Sequence, residues 1–388
     1  MTDLEIEVTH ESWLSRIMES IKGVLFGLVL FIAAFPLLFM NEGCAVKTAK
    51  SLNEAQGVVV SVASSKVDSA NQNKLVHTSG MLKSSEVLVD PSFKLKVKAI
   101  RLERQVEMYQ WTETVKSETK KKLGGGTKTV KEYRYSKEWK SELVKSSKFR
   151  TERGHRNPSR MPFKANTQTA KVVNLGAFKL SGALRSSLTD STSVKLTDAF
   201  IKGMPPALKS RFTVVENTLH SGKADEPIVG DVRIRFTAVY PKEVTVVAKQ
   251  FSGSLVPYKT SNGKTISMLR AGKIDSQGMF KMAHADNKMV TWIIRFAGFL
   301  MLLIGIALIV NPLVVVADVV PFVGDFLGGG VAIFSFLLSL GFSMLTISIG
   351  WLTYRPLIGV PLLVVSVLAF GGLFATKKKK PVDELPAA

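Results

Sequence analysis

Charged and apolar residues are separated along this 388-residue chain rather than mixed. Residues 23–40 contain no Asp, Glu, Lys or Arg, and long uncharged runs return after residue 290, whereas Lys and Arg crowd the residues between them. A helix needs about 20 predominantly apolar residues to cross roughly 30 Å of hydrocarbon. The chain is therefore predicted to be a membrane protein with a large water-facing domain after its first span.

The predicted fold class is a membrane protein with four transmembrane α-helices and a β-rich (α+β) extramembrane domain between span 1 and spans 2–4. The predicted segments are a cytoplasmic or interfacial amphipathic N-terminus (1–22), transmembrane helix 1 (23–40), the extracytoplasmic β-rich domain (45–288), transmembrane helix 2 (290–310), a re-entrant or interfacial hairpin (313–327), transmembrane helix 3 (331–351), transmembrane helix 4 (357–375) and a basic cytoplasmic tail (376–388).

The orientation follows from the lysines after the last apolar run, Lys377, Lys378, Lys379 and Lys380. Short basic flanks stay in the cytoplasm, so the C-terminus is predicted there. Four spans then place the N-terminus on the same side and the β-rich domain outside, in the periplasm if the protein is bacterial. Whether residues 313–327 cross is left open, and a crossing there would reverse this parity.

Three ionisable residues fall within or beside the apolar runs: Arg295, Asp318 and Asp325. Asn311-Pro312 is expected to end the second span, and the two aspartates make residues 313–327 too polar to cross alone. Three interpretations remain open for these side chains. They anchor the chain at the interface, they form ion pairs with each other or with another span, or they line a path for ions or protons.

Small residues recur at helical spacing in two of the predicted spans. Gly23 and Gly27 form one such pair, and Ser335, Ser339, Ser343 and Gly350 form a stripe on the third span. Small side chains let membrane helices approach closely and hydrogen-bond. These residues are therefore predicted to pack helices together, and they offer a face for assembly into a homo-oligomer.

The β-rich domain is predicted from short alternating runs bounded by Gly, Pro, Ser or Asp. The clearest pair is Val106–Ser117 and Val130–Leu143, joined by a lysine- and glycine-rich loop. The formal net charge of +21 allows nucleic acid, an anionic lipid surface or an acidic protein as partner. Because the domain is tethered to a membrane and is predicted outside the cytoplasm, membrane lipids, including anionic ones, are favoured and nucleic acid is not. The lysines predicted to face lipid are Lys120, Lys121 and Lys122 in the loop, and Lys377, Lys378, Lys379 and Lys380 in the tail.

Sequence signatures of enzymes are absent. The five histidines are scattered, the single cysteine excludes a thiolate cluster, and no phosphate-binding loop or hydrolase motif occurs. No catalytic residue, cofactor or metal ligand is therefore predicted. The densest polar cluster surrounds His155, in the string Gly-His-Arg-Asn-Pro that begins at Gly154, and it is the place where an uncharacterised enzyme site would lie.

Five ordered strings carry a family resemblance. They are residues 20–27 (SIKGVLFG), 41–49 (NEGCAVKTA), 106–111 (VEMYQW), 154–158 (GHRNP) and 350–357 (GWLTYRPL). Together they closely resemble the transmembrane protein 43 (LUMA) family. The resemblance implies a four-span protein of the endoplasmic reticulum and inner nuclear membrane in animals, which self-associates and is linked to lamins and emerin-type proteins. It implies no catalytic residues, and it marks Tyr109, Trp111, His155 and Asn157 as a signature of the β-rich domain.

The source and function follow as expectations. The domain has no Asn-x-Ser/Thr glycosylation acceptor, since Asn157 precedes a proline, and this favours a bacterial homologue. The expected function is a non-enzymatic membrane scaffold that organises proteins or lipids. The alternatives are a conducting protein that uses Asp318, Asp325, Arg295 and the serine stripe, and an enzyme with a site in the β-rich domain.

Overall fold

A computed structural model of the chain describes residues 4–357, together with positions 360, 361, 364, 365 and 368. It divides into two compact units. The sheet unit comprises residues 1–7, 51–118 and 130–282, and the helical unit comprises residues 8–50, 119–129 and 283–388.

Three long helices account for most of the helical residues. The α-helices are α1 (Trp13–Val58), α2 (Gly182–Ser186), α3 (Asp198–Gly203), α4 (Pro206–Lys209), α5 (Ser276–Ala317) and α6 (Pro321–Tyr354), and two single 3₁₀ turns occur at Ser69–Asn71 and Ser146–Lys148. In the described part of the chain, α1, α5 and α6 are long and apolar enough to cross a membrane. The chain is therefore an integral, multi-pass membrane protein.

The strands are mostly short, with a few long ones. They are β1 (Leu4–Glu11), β2 (Val60–Ser61), β3 (Leu75–Lys83), β4 (Leu88–Val89), β5 (Lys96–Val97), β6 (Arg101–Lys121), β7 (Thr127–Lys140), β8 (Asn166–Thr169), β9 (Asn174–Leu175), β10 (Phe178–Leu180), β11 (Thr192–Ser193), β12 (Thr213–Val215), β13 (Thr218–His220), β14 (Val232–Val239), β15 (Glu243–Phe251), β16 (Ser254–Val256), β17 (Tyr258–Lys259), β18 (Thr265–Ile266) and β19 (Met268–Ala271).

Two larger sheets contain most of these strands. The eight-stranded sheet runs β1-β7-β6-β14-β13-β12, with β11 paired to β14 and β8 paired to β6. The seven-stranded sheet runs β19-β15-β16-β10-β9-β3-β2, and β15 also pairs with β3. Strands β17 and β18 form one two-stranded sheet, and β4 and β5 form another. The expected β-rich domain is thus present.

One hydrophobic core takes side chains from both larger sheets. Leu102, Val106 and Met108 from β6 lie in the same buried cluster as Val244 and Val246 from β15. Alternate residues of β6 are buried from Leu102 to Thr112, as expected for a strand with one face in a core. The pair of strands predicted at Val106–Ser117 and Val130–Leu143 is present as the neighbouring strands β6 and β7.

Two of the long helices continue beyond the predicted spans. The helix α1 contains the predicted span 23–40 and continues to Val58, where β2 follows. Likewise, Asn311-Pro312 does not end the second span, because α5 continues to Ala317 with Pro312 inside it. A proline within a membrane helix removes one backbone hydrogen bond, and it is tolerated where neighbouring groups compensate.

Residues 313–327, the predicted re-entrant or interfacial hairpin, join two longer helices, and their position relative to a membrane stays a prediction. They contain the end of α5, a short turn and the start of α6 at Pro321. Proline suits the first turn of a helix because its missing N–H has no intrahelical acceptor there. The chain reverses at Asp318–Val320, and this turn positions the site described below.

The predicted fourth span, 357–375, lies largely outside the described residues, and the basic tail 376–388 lies wholly outside them. The four tail lysines, Lys377, Lys378, Lys379 and Lys380, belong to that tail. The described fold therefore contains three of the four predicted spans.

The first described residues form a strand. Strand β1 is hydrogen-bonded to β7 at the edge of the eight-stranded sheet, and Tyr133 donates a hydrogen bond of 2.7 Å to Glu7. The hydroxyl of Thr151 donates to Glu5. Residues 4–7 therefore group with the sheet unit, and the side of the membrane on which residues 1–22 lie stays a prediction.

Candidate functional site in the helical unit

The turn between α5 and α6 holds a buried carboxylate. Asp318 follows the last residue of α5, and only 1% of its side chain is exposed. Two cations pair with it: Arg16 approaches one carboxylate oxygen at 2.5 Å, and Lys121 approaches the other at 2.6 Å. Lys121 also lies 2.8 Å from Asp325. A buried carboxylate requires such partners, since an unpaired charge is costly to remove from water.

The lysine- and glycine-rich loop between β6 and β7 fits closely beside this turn. Its Gly125 has a positive φ of 78°, and a side chain there would overlap the ring of Trp13. The carbonyl oxygen of Gly125 accepts a hydrogen bond from Arg16, and Gly124 N–H donates to the carbonyl of Val319 at 3.1 Å. Glycine is required here both for the backbone conformation and for the close approach.

The cation in this loop is held in its charged form. Burial by itself would lower the pKa of Lys121, but its hydrogen bonds to Asp318 and Asp325 outweigh that effect and keep the pKa above its ordinary value. Lys121 therefore remains an ammonium ion throughout the physiological pH range. It was predicted to face lipid, and this is corrected: Lys121 is an ion-pair partner within the chain.

A second buried ionic cluster centres on Glu42 of α1, which is 1% exposed. Arg295 donates from Nε at 2.7 Å and from one Nη at 2.8 Å, so the pair is bidentate. Trp351 of α6 donates from its indole at 2.5 Å to the same carboxylate. The guanidinium lies 4.8 Å from the ring centre of Trp292 and 5.6 Å from that of Trp351. One glutamate thus connects all three long helices.

The residues beside Glu42 also contact α5 and α6. Asn41 donates to the carbonyl of Thr291 at 3.2 Å, and Asn287 donates to the carbonyl of Ala45 at 3.0 Å. A Cβ atom at Gly43 would lie 2.7 Å from the ring of Tyr354. The string Asn-Glu-Gly at residues 41–43 therefore supplies a hydrogen bond, a charge and a close contact in consecutive positions.

The two clusters lie far apart along the helices. Arg16 and Glu42 are 26 positions apart in α1, which is about 39 Å at 1.5 Å per residue. Arg295 and Asp318 are 23 positions apart, which is about 34 Å. Between the clusters the contact is apolar, with Ala34, Leu38 and Leu302 fully buried. These separations match a hydrocarbon layer of roughly 30 Å, so one cluster lies toward each end of the apolar part of the unit.

Comparisons with known proteins agree with the sequence resemblance. The family model for transmembrane protein 43 matches residues 108–356. The chain is 35% identical to transmembrane protein 43 of Mus musculus over 98% of this chain and 96% of that protein. It is 33% identical to the Homo sapiens protein over 97% and 95% of the two chains.

The chain belongs to the transmembrane protein 43 family. A Drosophila melanogaster relative, described as a transmembrane protein 43 homolog, is 29% identical over 88% of this chain and 91% of its own length. No solved structure matches the chain.

The ionisable residues predicted within the spans do not form one site in this family member. Asp318 and Asp325 do come together, through Lys121. Arg295 instead pairs with Glu42, in the other cluster. Of the open interpretations, ion pairing describes the observed geometry of Asp318 and Arg295.

The predicted glycine pair of α1 packs within the chain. A Cβ atom at Gly27 would lie 2.8 Å from both the carbonyl oxygen of Gly305 and Cβ of Leu308. A Cβ atom at Gly305 would lie 2.9 Å from the carbonyl oxygen of Gly27, while Gly23 faces Leu308 more loosely at 3.7 Å. Two glycines, one from each helix, thus let α1 and α5 come into backbone contact.

The small-residue stripe of α6 is buried, and its members differ in their hydrogen bonds. Ser339 donates to the carbonyl of Phe336, whereas Ser335 and Ser343 have no hydrogen-bond partner among the described residues. Gly350 brings α6 against Glu42, where an added Cβ would lie 3.0 Å from that side chain. At Gly350 the stripe therefore packs against α1.

An apolar groove of about 470 Å³ lies between α5 and α6. Its lining includes Trp292 and Trp351 at the end near Glu42, Phe299 and Leu340, and the unpartnered hydroxyl of Ser343. Its volume lies in the range of sites that bury a small molecule or a chain segment.

The signature residues of the β-rich domain serve packing. His155 is 4% exposed, stacks on Tyr135 with ring centres 3.9 Å apart, and meets Trp111 edge-on at 4.7 Å. Asn157 accepts from Trp111 N–H at 2.8 Å and donates to its carbonyl at 2.9 Å. Tyr109 lies 5.2 Å from the ring of Trp139. This burial removes the basis for an open catalytic site around His155.

Sequence reasoning missed the two most connected residues of the site. Glu42 stands in one of the strings that carry the family resemblance, yet its charge was not counted among the membrane residues. Arg16 was assigned only to an amphipathic surface. The signal available was a single acidic residue at the end of one span and a single arginine just inside the next, since lone charges beside hydrocarbon need partners.

Glu42 provides the first testable prediction. Glu42→Ala leaves Arg295 buried without its carboxylate, so the free energy of unfolding should fall by about 3–5 kcal/mol. The double replacement Glu42→Ala with Arg295→Met should recover much of that loss, because no charge is then stranded. Unfolding in detergent, followed by tryptophan fluorescence, measures both. Glu19→Ala, on the exposed side of the same helix, is the control, and equal effects at both glutamates would contradict the assignment.

Gly324 provides the second prediction. A Cβ atom at Gly324 would overlap the carboxylate of Asp318, so Gly324→Ala should destabilise the turn by about 1–3 kcal/mol. Gly329→Ala in the same helix has open space around it and should stabilise by roughly 0.5–1 kcal/mol through helix propensity. Melting of the two variants side by side tests this. A stabilised Gly324→Ala variant would show that Asp318 is not held as described.

Proposed function

We propose that this member of the transmembrane protein 43 family is a non-enzymatic membrane scaffold, which self-associates and organises membrane proteins or lipids through its β-rich domain. The observation that carries the proposal is that the two buried carboxylates, Glu42 and Asp318, are both neutralised by cations of the same chain. Charges used in this way hold helices together. They are not left free to bind a substrate or to relay an ion.

The apolar contact between the clusters argues against the conducting alternative. Phe31, Phe35 and Phe342 meet edge-on, with ring centres 5.0 to 5.8 Å apart. Together with the buried Ala34, Leu38 and Leu302 they fill the region that a polar path through the described helices would cross. An ion would have to leave water for about 30 Å of hydrocarbon surroundings, at a high cost in free energy.

Self-association is supported by a feature of α6 that the fold itself does not use. Gly328, Gly329 and Gly330 stand inside the helix, where each glycine costs roughly 0.5–1 kcal/mol relative to alanine. A side chain at Gly329 or Gly330 would meet no atom within 4 Å. Small residues on a membrane helix permit close approach of a second helix, and we assign that role to this triglycine face in a homo-oligomer.

Contact with lipid is supported by the groove between α5 and α6. Its walls are almost wholly apolar, and its polar end carries two tryptophans, a residue type enriched where membrane meets water. Membrane lipid is the partner that such a groove would meet first in a bilayer. The lysines Lys120 and Lys122 of the β6–β7 loop remain candidates for anionic headgroups within this proposal.

The orientation forms part of the proposal. The lysines at residues 377–380 favour a cytoplasmic C-terminus, and we place the β-rich domain on the other side: in the periplasm, with the chain in the inner membrane, for a bacterial source, or in the lumen of the endoplasmic reticulum or nuclear envelope for a eukaryotic one.

Labelling tests the orientation. The chain has one cysteine, so Cys44→Ser with Lys66→Cys places a single thiol on an exposed position of the domain. A membrane-impermeant maleimide should label it on intact cells, or on the lumenal side of sealed microsomes. Labelling only from the cytoplasmic side would refute the orientation and leave the scaffold proposal standing.

Mass photometry of the protein in nanodiscs tests self-association. We expect a discrete particle at an integer multiple of the 42.5 kDa chain. Gly329→Ile should convert it to the monomer, because the branched side chain fills the close-approach face. Gly57→Ile is the matched control, since Gly57 is also a helical glycine with open space and lies outside the triglycine. A monomeric unsubstituted protein would contradict the scaffold.

A further inference from the structure

The sheet unit carries a lysine comb, which is a set of three exposed lysines at alternate positions. Lys94, Lys96 and Lys98 are exposed, and they alternate with the buried residues Leu95 and Val97. Strand β5 covers Lys96 and Val97, and Lys94 precedes it at the end of a turn. The comb therefore presents positive charge at every second residue from 94 to 98.

Buried contacts of Asp90 and Phe93 hold the segment that carries the comb. Asp90, 1% exposed, accepts from the N–H groups of Ser92 at 3.0 Å and Phe93 at 2.8 Å. Its carboxylate also pairs with the buried Arg104 at 2.7 Å, and Phe93 is fully buried. Lys94 follows in the left-handed conformation, with φ of 59°. A conformation that is uncommon for lysine is thus held by buried contacts on both sides of the turn.

The comb borders a groove of about 820 Å³ in the same unit. The groove also contains Lys195, and its apolar surface includes Val89, Phe200 and Tyr240. All charged side chains in its lining are lysines. In the part of the chain that the structure describes, Lys94, Lys96, Lys98 and Lys195 form no ion pair with an acidic side chain.

The backbone beside the groove is partly available for pairing. Among the described residues, β5 pairs with β4 and β11 pairs with β14, while the carbonyl oxygen of Val89 in β4 accepts a hydrogen bond from Gln168 at 2.9 Å. An open strand edge presents unpaired N–H and C=O groups to an added extended segment. The groove therefore combines a strand edge at β5, an apolar surface and lysines at alternate residues, three features that suit an extended polypeptide.

We propose that this groove binds an extended acidic segment of a partner protein, with carboxylates at alternate positions facing the lysine comb. Period-two charge complementarity favours a polypeptide over a lipid headgroup, whose single phosphate would match one lysine at a time. The proposal deepens the scaffold function, because it names the class of partner that the β-rich domain would gather. The biological role of this binding rests on the scaffold function. The binding of an acidic segment can be measured independently of that function.

The test measures binding of a fluorescent decapeptide of alternating Glu and Val to the full chain in nanodiscs of zwitterionic lipid, by fluorescence anisotropy. A second peptide, five Glu followed by five Val, has the same composition without the alternation. We expect the alternating peptide to bind at least ten-fold more tightly than the block peptide. Raising the salt concentration should weaken its binding, because exposed charge pairs are screened.

Two triple variants separate the groove from net charge. Lys94, Lys96 and Lys98 replaced together by Gln should raise the Kd at least ten-fold. Lys66, Lys148 and Lys259 replaced together by Gln remove the same charge from exposed positions outside the groove, and they should change Kd less than two-fold. Circular dichroism of both variants checks that the fold is retained.

Three outcomes would overturn the proposal. Equal losses in the two triple variants would show a general charge effect, and equal affinity for the two peptides would show that alternation is not recognised. Binding of anionic vesicles that depends on the comb, without binding of the alternating peptide, would assign the groove to lipid. None of these outcomes alters the particle mass measured for self-association, so failure of this inference is distinguishable from failure of the scaffold.

Discussion

The helical unit depends on charge neutralisation inside apolar surroundings. A single carboxylate removed from water without a partner destabilises a protein by several kcal/mol, whereas a bidentate and fully hydrogen-bonded pair is tolerated. Glu42 and Asp318 both satisfy that condition, and their partners come from different helices or from the β6–β7 loop. The interactions that neutralise the charges therefore also determine which helices are neighbours.

This arrangement explains why small residues occur where they do. Close helix contact shortens the distance that a side chain must reach to find its partner. Gly27 and Gly305 bring α1 and α5 together, and Gly350 brings α6 to Glu42. Glycine thus has two roles in this membrane unit. Gly27, Gly305 and Gly350 permit close helix contacts, whereas Gly329 and Gly330 have open space beside them.

The sequence predicts strand pairing better than buried faces. The period-two pattern indicates the pair of β6 and β7, and these strands are neighbours in the sheet. In β15 five consecutive residues are buried, so that strand carries no period-two pattern. Charge pairing is non-local and leaves no such periodic trace. Lys121 lies in a loop rich in lysine and glycine, and its partner Asp318 is 197 positions away. Arg16 and Asp318 are 302 positions apart. For the same reason Asn311-Pro312, a local signal for a helix end, fails where contacts from other helices continue α5.

The edge strand β1 has a consequence for synthesis of the protein. Residues 4–11 leave the ribosome well before their partner β7, which begins only at Thr127, 116 residues after β1 ends. At 5–20 residues per second, the strand waits roughly 6–23 s before its partner exists. During that interval α1, already apolar enough to enter the membrane, has emerged. Closure of this edge of the eight-stranded sheet is therefore a late step, which follows synthesis of α1 and of all residues up to β7.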